Sequence, residues 1–186
     1  MYDTLLQLPL FQGMTKQNFD ALLMKLKLNF VKYKAGTKFI EAGSACTDFV
    51  FLINGSVVSS RESAVAGFVY KEVIGAPFLL EPFAMFGVSA TFNHDYYAQT
   101  DISVLLIDKQ YVYSELNKYD ICGMNLLNML SGKAQVVDRF IWSRKEFTLR
   151  ERIIRFVKGL SELQYGEKYL QIKMNTLAGL DRKSVV

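Results

Sequence analysis

Residues 48–58 read DFVFLINGSVV, an apolar run that Asn54-Gly55 interrupts. A two-residue hairpin turn needs a positive φ at both of its central residues, and Asn-Gly is the pair that most often meets this need. The run therefore predicts a β-hairpin, with one strand on each side of the turn.

Further short β segments surround this hairpin between residue 32 and about residue 108. Gly, Asn, Asp and Pro separate them, and the apolar or alternating stretches lie at 38–41, 49–53, 57–58, 68–73, 96–98 and 103–107. Many short strands with frequent turns favour a closed antiparallel roll over a parallel sheet with crossover helices. We therefore predict an α+β fold, an antiparallel β-roll of the double-stranded β-helix or jelly-roll type with flanking helices.

Three amphipathic helices are predicted beside the roll. Apolar residues recur at steps of three and four in 15–28, 119–147 and 149–163. Thr15 and Thr148 stand where a hydroxyl can cap the first and the third of these helices. A short alternating strand at 169–173 follows, and Asn175 is placed to cap a last helical segment.

The long helix carries two apolar stripes. One contains Ile121, Met124, Leu127, Leu130, Ala134, Val137 and Ile141, and the other contains Leu126, Met129, Val136 and Phe140. Two stripes need two surfaces, namely the preceding domain and a second copy of the same helix, because like-on-like contacts close a two-fold dimer. We predict a homodimer whose interface contains Leu126, Leu127, Leu130, Ala134, Val137 and Ile141. The alternative is a helix buried wholly within one subunit.

The net charge of +4 is unevenly distributed over the 186 residues. Residues 1–118 contain 10 Lys/Arg and 11 Asp/Glu, a net −1, whereas residues 119–186 contain 12 and 7, a net +5. Clustered positive charge suits a phosphate-bearing partner, and a solvated helix face looks the same. No apolar run reaches the length of a membrane span and no basic leader begins the chain, so we expect a cytoplasmic protein without membrane contact.

The chemistry-bearing residues do not form an enzyme pattern. Cys46 and Cys122 match no metal or redox spacing and are expected to be small buried residues, so we predict no metal, no cofactor and no catalytic residue. We see neither a nucleophile with its base nor a glycine-rich phosphate loop. A cupin enzyme is an alternative, because cupins use a β-roll, but their metal sites need several histidines and this chain has only His94.

The order of these elements resembles the Crp/Fnr family of bacterial transcription regulators. The segments that carry the resemblance are LPLFQGM at 8–14, YKAG at 33–36, the run at 48–57, AQTD at 98–101, VLLIDK at 104–109 and RERI at 150–153. The resemblance implies a cyclic-nucleotide-binding-like sensor domain at 1–118, a dimerisation helix at 119–147 and a partial winged helix-turn-helix at 148–186. It would make the protein a DNA-binding regulator in which an effector shifts the packing of the dimer helices.

The C-terminal part departs from the family pattern. Residues 174–180 resemble the first helix of the helix-turn-helix, but the recognition helix that should follow is absent from the sequence. Basic and polar residues can still contact DNA phosphates without reading the bases, and the candidates are Arg150, Lys173, Asn175 and Thr176. We therefore expect weak, salt-dependent and non-specific DNA binding.

The sensor domain departs from the pattern as well. Relatives that bind cyclic nucleotides hold the ribose and the phosphate with a Phe-Gly-Glu segment and a following Arg. Here Val88 follows Phe86-Gly87, and no arginine lies between Arg61 and Arg139, so we predict that cyclic AMP does not bind. An effector pocket for a small apolar or aromatic ligand would be lined by Phe83, Met85, Phe86, Val88, Phe92, Tyr96 and Tyr97.

Alternatives stay open at each of these points. The aromatic side chains of the predicted pocket could instead close the core of the roll, and His94 could ligate haem iron as in haem-sensing relatives. The leading interpretation is a Crp/Fnr-type transcription regulator with an unidentified effector. The alternative function is a stand-alone ligand-binding dimer that acts through protein partners.

Overall fold

The computed structural model of the chain describes residues 5–25, 28–63, 67–116, 118–142, 148–163 and 165–177, without the side chains of Leu116, Phe140, Ile141 and Leu149. The helices in these ranges are α1 (Lys16–Leu23), α2 (Asp120–Trp142) and α3 (Leu149–Leu160). The strands are β1 (Asn29–Tyr33), β2 (Lys38–Ile40), β3 (Asp48–Asn54), β4 (Ser56–Ser63), β5 (Phe68–Gly75), β6 (Phe78–Leu80), β7 (Asp95–Ala98), β8 (Ile102–Asp108) and β9 (Lys168–Ile172). Short 3-10 helices occupy Pro9–Phe11 and Pro82–Ala84, and a helical turn at Lys109–Tyr111 continues as a π-turn through Leu116.

The strands form two antiparallel sheets. One sheet has the order β1-β8-β3-β6, and the other has the order β2-β7-β4-β5-β9. The sheets face each other across a core of apolar side chains, and the N-terminal 3-10 helix and α1 contribute Leu10, Phe11, Phe19 and Leu22 to that core. This is the antiparallel roll with flanking helices that the sequence predicts.

The hairpin prediction at Asn54-Gly55 is wrong. β3 pairs with β6 and β8, whereas β4 pairs with β5 and β7, so the turn joins two different sheets. Gly55 has a φ of 85°, and a Cβ there would stand 2.6 Å from the backbone oxygen of Asp101. The Asn54 side chain accepts a hydrogen bond from the Gly55 amide at 2.9 Å. Glycine is therefore needed for the close approach at a corner of the roll.

Two of the three predicted helix caps are confirmed, and the third is wrong, because Asn175 lies inside a helical turn at 174–177 and not before it. The Thr15 hydroxyl accepts a hydrogen bond from the amide of Asn18, and Thr148 forms a capping box with Glu151. Two helices end earlier than their apolar spacing indicates, α1 at Leu23 and α3 at Leu160. The sequence does not predict β6, and β1 and β4 extend beyond the stretches predicted for them. Residues 143–147, the predicted end of the long helix, lie outside the described ranges.

The predicted burial of the two cysteines is confirmed. Cys46 and Cys122 are both fully buried. Burial raises the pKa of the Cys46 thiol to about 12 and that of the Cys122 thiol to about 11, so both stay protonated at neutral pH. The two side chains therefore act as small apolar groups in the core.

β9 extends a sheet of the roll. Its residues pair in antiparallel register with β5, from Lys168 opposite Glu72 to Ile172 opposite Phe68. The ring of Phe156 on α3 meets the ring of Phe68 edge-on, with centroids 5.3 Å apart. Residues that the sequence analysis assigned to a separate C-terminal domain thus pack on the first domain. In the described part of the chain, no helix combines the length and the apolar character needed to cross a membrane.

Candidate functional site

The structure distributes the seven predicted pocket residues over different environments. Three are buried in the core and help to close the roll, namely Met85, Phe92 and Tyr96. Two are exposed, namely Phe86 and Val88, and Tyr97 is half-buried beside Lys38. Phe83 is half-buried and lines a cleft next to α2. Core packing thus accounts for three of the seven residues, and the pocket role of the others stays a prediction.

Glu81 is a buried carboxylate that the sequence analysis did not single out. Its Oε2 accepts hydrogen bonds from the backbone amide and the Nδ2 of Asn93, at 2.8 and 2.9 Å. Its Oε1 accepts from the backbone amide of His94 at 3.0 Å and from the Tyr96 hydroxyl at 3.1 Å, and lies 2.6 Å from His94 Nδ1. Glu81 therefore ties the end of β6 to β7, and the chain itself uses its hydrogen-bonding capacity.

The environment of Glu81 keeps the carboxylate charged. Burial would raise the pKa of Glu81, but hydrogen bonds from His94 and Asn93 outweigh burial, and the pKa lies below its ordinary value of 4.5. Burial and the nearby Glu81 charge raise the pKa of Tyr96 well above its ordinary value, so the phenol stays a donor. Five donors around one buried carboxylate offset the cost of taking it out of water.

His94 is part of the same buried network. The residue is 3% exposed and its Nδ1 faces Glu81. A haem ligand needs a ring nitrogen that faces a pocket large enough for the cofactor, and the buried His94 lines neither of the two cavities described below, so haem ligation has no support. Within the described ranges, no three His, Cys, Asp or Glu side chains gather as a metal site.

A cleft of about 740 Å³ lies between the roll, α2 and α3. The roll side is formed by Pro9, Pro77, Phe78, Leu79, Pro82 and Phe83. The helix side is formed by Met129, Gly132, Lys133, Val136, Lys158, Ser161, Glu162, Leu163 and Tyr165. Most of these side chains are apolar, and the volume lies within the range of small-molecule sites.

Lys133 carries a positive charge into this cleft. Its Nζ donates to Glu162 Oε1 at 2.7 Å and lies 5.0 Å from the centroid of the Phe83 ring. The side chains of Lys133 and Glu162 are 29% and 10% exposed, so water screens this ion pair weakly. The pair joins α2 to the segment that follows α3.

A second buried carboxylate, Glu72 on β5, holds that segment to the roll. Its Oε1 accepts hydrogen bonds from Ser161 Oγ at 2.5 Å and from the amide of Leu163 at 3.2 Å. Its Oε2 accepts from the amide of Glu162 at 2.8 Å, and Lys168 Nζ lies 3.3 Å from Oε1. Because these bonds need the chain to leave the helix, they explain why α3 ends at Leu160.

The predicted dimer stripe of α2 is largely open to water. Met124 and Leu127 are 55% and 57% exposed, Val137 and Ala134 are exposed, and Leu130 is half-buried. Leu126, which the sequence analysis assigned to the same interface, packs with Met129 against the hydrophobic core instead. The reason is angular, since Leu126 lies about 100° round the helix from Leu127. The Ile141 side chain lies outside the described part.

The four predicted DNA-contact residues lie on two elements. Arg150 is exposed in the first turn of α3, whereas Lys173 and Asn175 are exposed just after β9, and Thr176 is half-buried near Gly67. A different set of basic side chains lines a groove of about 510 Å³ between α2 and α3, with Arg139, Arg155 and Lys158 around Trp142. Phosphate contact by any of these residues stays a prediction.

The comparisons with known proteins show the fold. No family model matches the chain, and a search of curated proteins finds no match either. Among solved structures, the sensor domain of the transcriptional regulator DNR from Pseudomonas aeruginosa is similar over 78% of this chain and 95% of its own. That structure is 18% identical, with a TM-score of 0.62.

Two further structures agree with the first. The N-terminal domain of a transcriptional regulator from Streptomyces coelicolor is 17% identical over 78% of this chain and 100% of its own, with a TM-score of 0.61. The Thermus thermophilus Catabolite Activator Protein is 13% identical over 95% of this chain and 98% of its own, with a TM-score of 0.61. The chain therefore has the jelly-roll fold of cyclic nucleotide-binding domains, with flanking helices.

Proposed function

We propose that this chain is the sensor and dimerisation part of a Crp/Fnr-type transcription regulator, acting in the cytoplasm on a small-molecule effector. The exposed apolar stripe of α2 carries the proposal. Met124, Leu127, Ala134 and Val137 lie in water on one side of a 23-residue helix whose other side packs on the roll. Such a stripe marks an interaction surface, and a second copy of the same helix matches it in length and in chemistry.

The proposed effector is not cyclic AMP. A phosphate buried in the roll would need a guanidinium partner, and the sequence has no arginine between Arg61 and Arg139. An unpaired buried charge costs several kcal/mol, about the whole binding energy of a weak ligand. Val88 stands where the resemblance expects the ribose-binding Glu, and the Glu81 carboxylate is not free to replace it, because Glu81 already accepts hydrogen bonds from Asn93, His94 and Tyr96.

The proposed output is DNA binding, without catalytic activity. The basic side chains of α3 and of the segment after β9 support phosphate contacts, and a recognition helix would be needed for sequence choice. A stand-alone ligand-binding dimer that acts through protein partners is the second candidate. The pairing of β9 with β5 favours this second candidate, because β9, which the resemblance assigns to a separate DNA-binding domain, is here part of a sheet of the roll.

The experiment is the oligomeric mass of a stripe variant. We expect wild type to be a dimer of twice 21.2 kDa, and Leu127→Arg to be a monomer, because a charge in an apolar helix interface is left without water or a partner. Leu127 suits this test better than the half-buried Leu130, since its replacement leaves the subunit core untouched. Light scattering after size-exclusion chromatography measures the mass.

The matched control is Gln17→Arg. Gln17 is exposed on α1, so the same charge is added away from the stripe of α2. We expect this variant to keep the mass of wild type. A monomeric wild type, or a Leu127→Arg protein with dimer mass, would refute the proposed interface.

A further inference from the structure

The cleft between the roll, α2 and α3 combines apolar walls with an excess of positive charge. Its roll side consists of prolines, phenylalanines and a leucine, and Met129 and Val136 face them from α2. The charged side chains in the lining are Lys133, Lys158 and Glu162, a net charge of +1. Such a lining fits a ligand with an apolar body and one negative group.

Lys133 is placed to bind the negative group. Its ammonium has three donors, and it lies in the lining between the carboxylate of Glu162 and the face of the Phe83 ring. The Phe83 ring attracts the ammonium from one side, but it cannot accept a charge-assisted hydrogen bond as a carboxylate does. An anion that enters the cleft would meet this ammonium where little water screens it.

Glu162 behaves as an internal competitor for the same ammonium. It belongs to the segment after α3, and its carboxylate reaches Lys133 at 2.7 Å across the cleft. A ligand carboxylate that takes this place leaves Glu162 without its partner on α2. The segment 161–163 then keeps its hydrogen bonds to Glu72, through Ser161 Oγ and two backbone amides, and the packing of Leu163 on the core.

We propose that this cleft binds an organic anion with an apolar body, such as a medium-chain carboxylate, whose head group displaces Glu162 from Lys133. The proposal rests on the proposed sensor function, because it assigns the chemical class of the effector. Binding is linked to the position of α3, since the state in which Glu162 has left Lys133 binds the anion better. The anion thereby loosens the junction between α2 and α3.

The chain contains a reporter of this loosening. Trp142, the one tryptophan, stands at the end of α2 and lines the neighbouring groove with Arg155, Lys158 and Gly159 of α3. A shift of α3 changes the surroundings of its indole. Trp142 fluorescence therefore follows the rearrangement, while calorimetry measures binding itself.

The experiment titrates decanoate and decan-1-ol into wild type, Lys133→Met, Glu162→Gln and the control Lys32→Met. The two probes share an apolar chain and differ in the head group. Lys32 is an exposed lysine on β1 that does not line the cleft, so its variant removes the same charge elsewhere. Circular dichroism establishes that each variant is folded, and Glu162→Gln tests the same contact from the other side.

We expect decanoate to bind wild type and the Lys32 variant equally, with a change in Trp142 fluorescence. Lys133→Met should weaken decanoate binding roughly 10- to 100-fold, the value of a charge-assisted hydrogen bond, and leave decan-1-ol binding unchanged. Glu162→Gln should tighten decanoate binding up to about fivefold, because the competing ion pair is gone.

Three results would overturn the proposal. They are the absence of decanoate binding to wild type, equal binding of decanoate and decan-1-ol, and unchanged decanoate affinity in Lys133→Met. None of these results tests the dimer interface. If Leu127→Arg is monomeric and one of them is observed, the proposed sensor function is retained and only this class of effector is rejected.

Discussion

Replacing Glu72 with Gln is expected to release the end of α3 and β9 from the roll. Glu72 is fully buried, and its two oxygens accept hydrogen bonds from Ser161, Glu162 and Leu163. Lys168, at the start of β9, lies within 3.3 Å of the same carboxylate. The amide of Gln has almost the same shape, so the substitution changes the charge and one acceptor without leaving a cavity.

The magnitude follows from these contacts. One acceptor oxygen becomes an NH₂ group, so either the amide of Glu162 or the donors of Ser161 and Leu163 lose their bond. A hydrogen bond to a charged group contributes about 1.5–3 kcal/mol, and a neutral one about 1 kcal/mol. One lost bond and the weakening of the others amount to about 3 kcal/mol, similar to the cost of breaking a buried ion pair.

Hydrogen exchange of the β9 amides is the assay. If β9 opens separately from the rest of the roll, about 3 kcal/mol corresponds to exchange roughly 10²-fold faster in Glu72→Gln than in wild type. The control is Glu62→Gln, which removes an exposed carboxylate from the neighbouring strand β4 and should leave exchange unchanged. Equal exchange of β9 in wild type and Glu72→Gln would refute the assignment of Glu72 as the anchor.

Two further predictions concern the other buried carboxylate and the effector. Because the folded-state pKa of Glu81 is lower than its ordinary value of 4.5, its stabilisation is present above pH 4.5 and is lost as the pH falls below it. The difference in unfolding free energy between wild type and Glu81→Gln, measured by urea titration, should therefore shrink on acidification, and a constant difference would contradict this. Isothermal titration with cyclic AMP should show no binding at micromolar concentrations, and saturable heat would overturn the argument from the missing arginine.

Local features of the sequence were predicted well. Thr15 and Thr148 cap their helices as expected, because a cap depends on residues within one turn of the chain. The alternation in 68–75 also indicates which side chains of β5 are buried. Tyr70, Glu72 and Ile74 all point to the buried side of β5, so the period of two already placed the Glu72 carboxylate inside.

Features that depend on distant partners were not predictable in the same way. Asn54-Gly55 is a sound hairpin signal, yet the strands beside it pair with β5, β6, β7 and β8 rather than with each other. The period of α3 continues past Leu160, but Glu72, 89 residues earlier than Ser161, draws the chain out of the helix. Leu126 is apolar and was predicted to lie in the dimer interface, but its angle on the helix places it against the roll.

The sequence by itself determined most of the strands, the starts of α1, α2 and α3, and the two apolar stripes of the long helix. Each of these follows from periodicity or from contacts between near neighbours in the chain, and the absence of any metal or redox spacing indicated that both cysteines are buried. Only the tertiary structure decided which stripe faces water, which strands pair, and that Glu81 and Glu72 organise the roll and its C-terminal segment. Each of these features depends on residues that are far apart in the chain. A buried carboxylate, for example, is stable only where several donors from distant parts of the chain meet it.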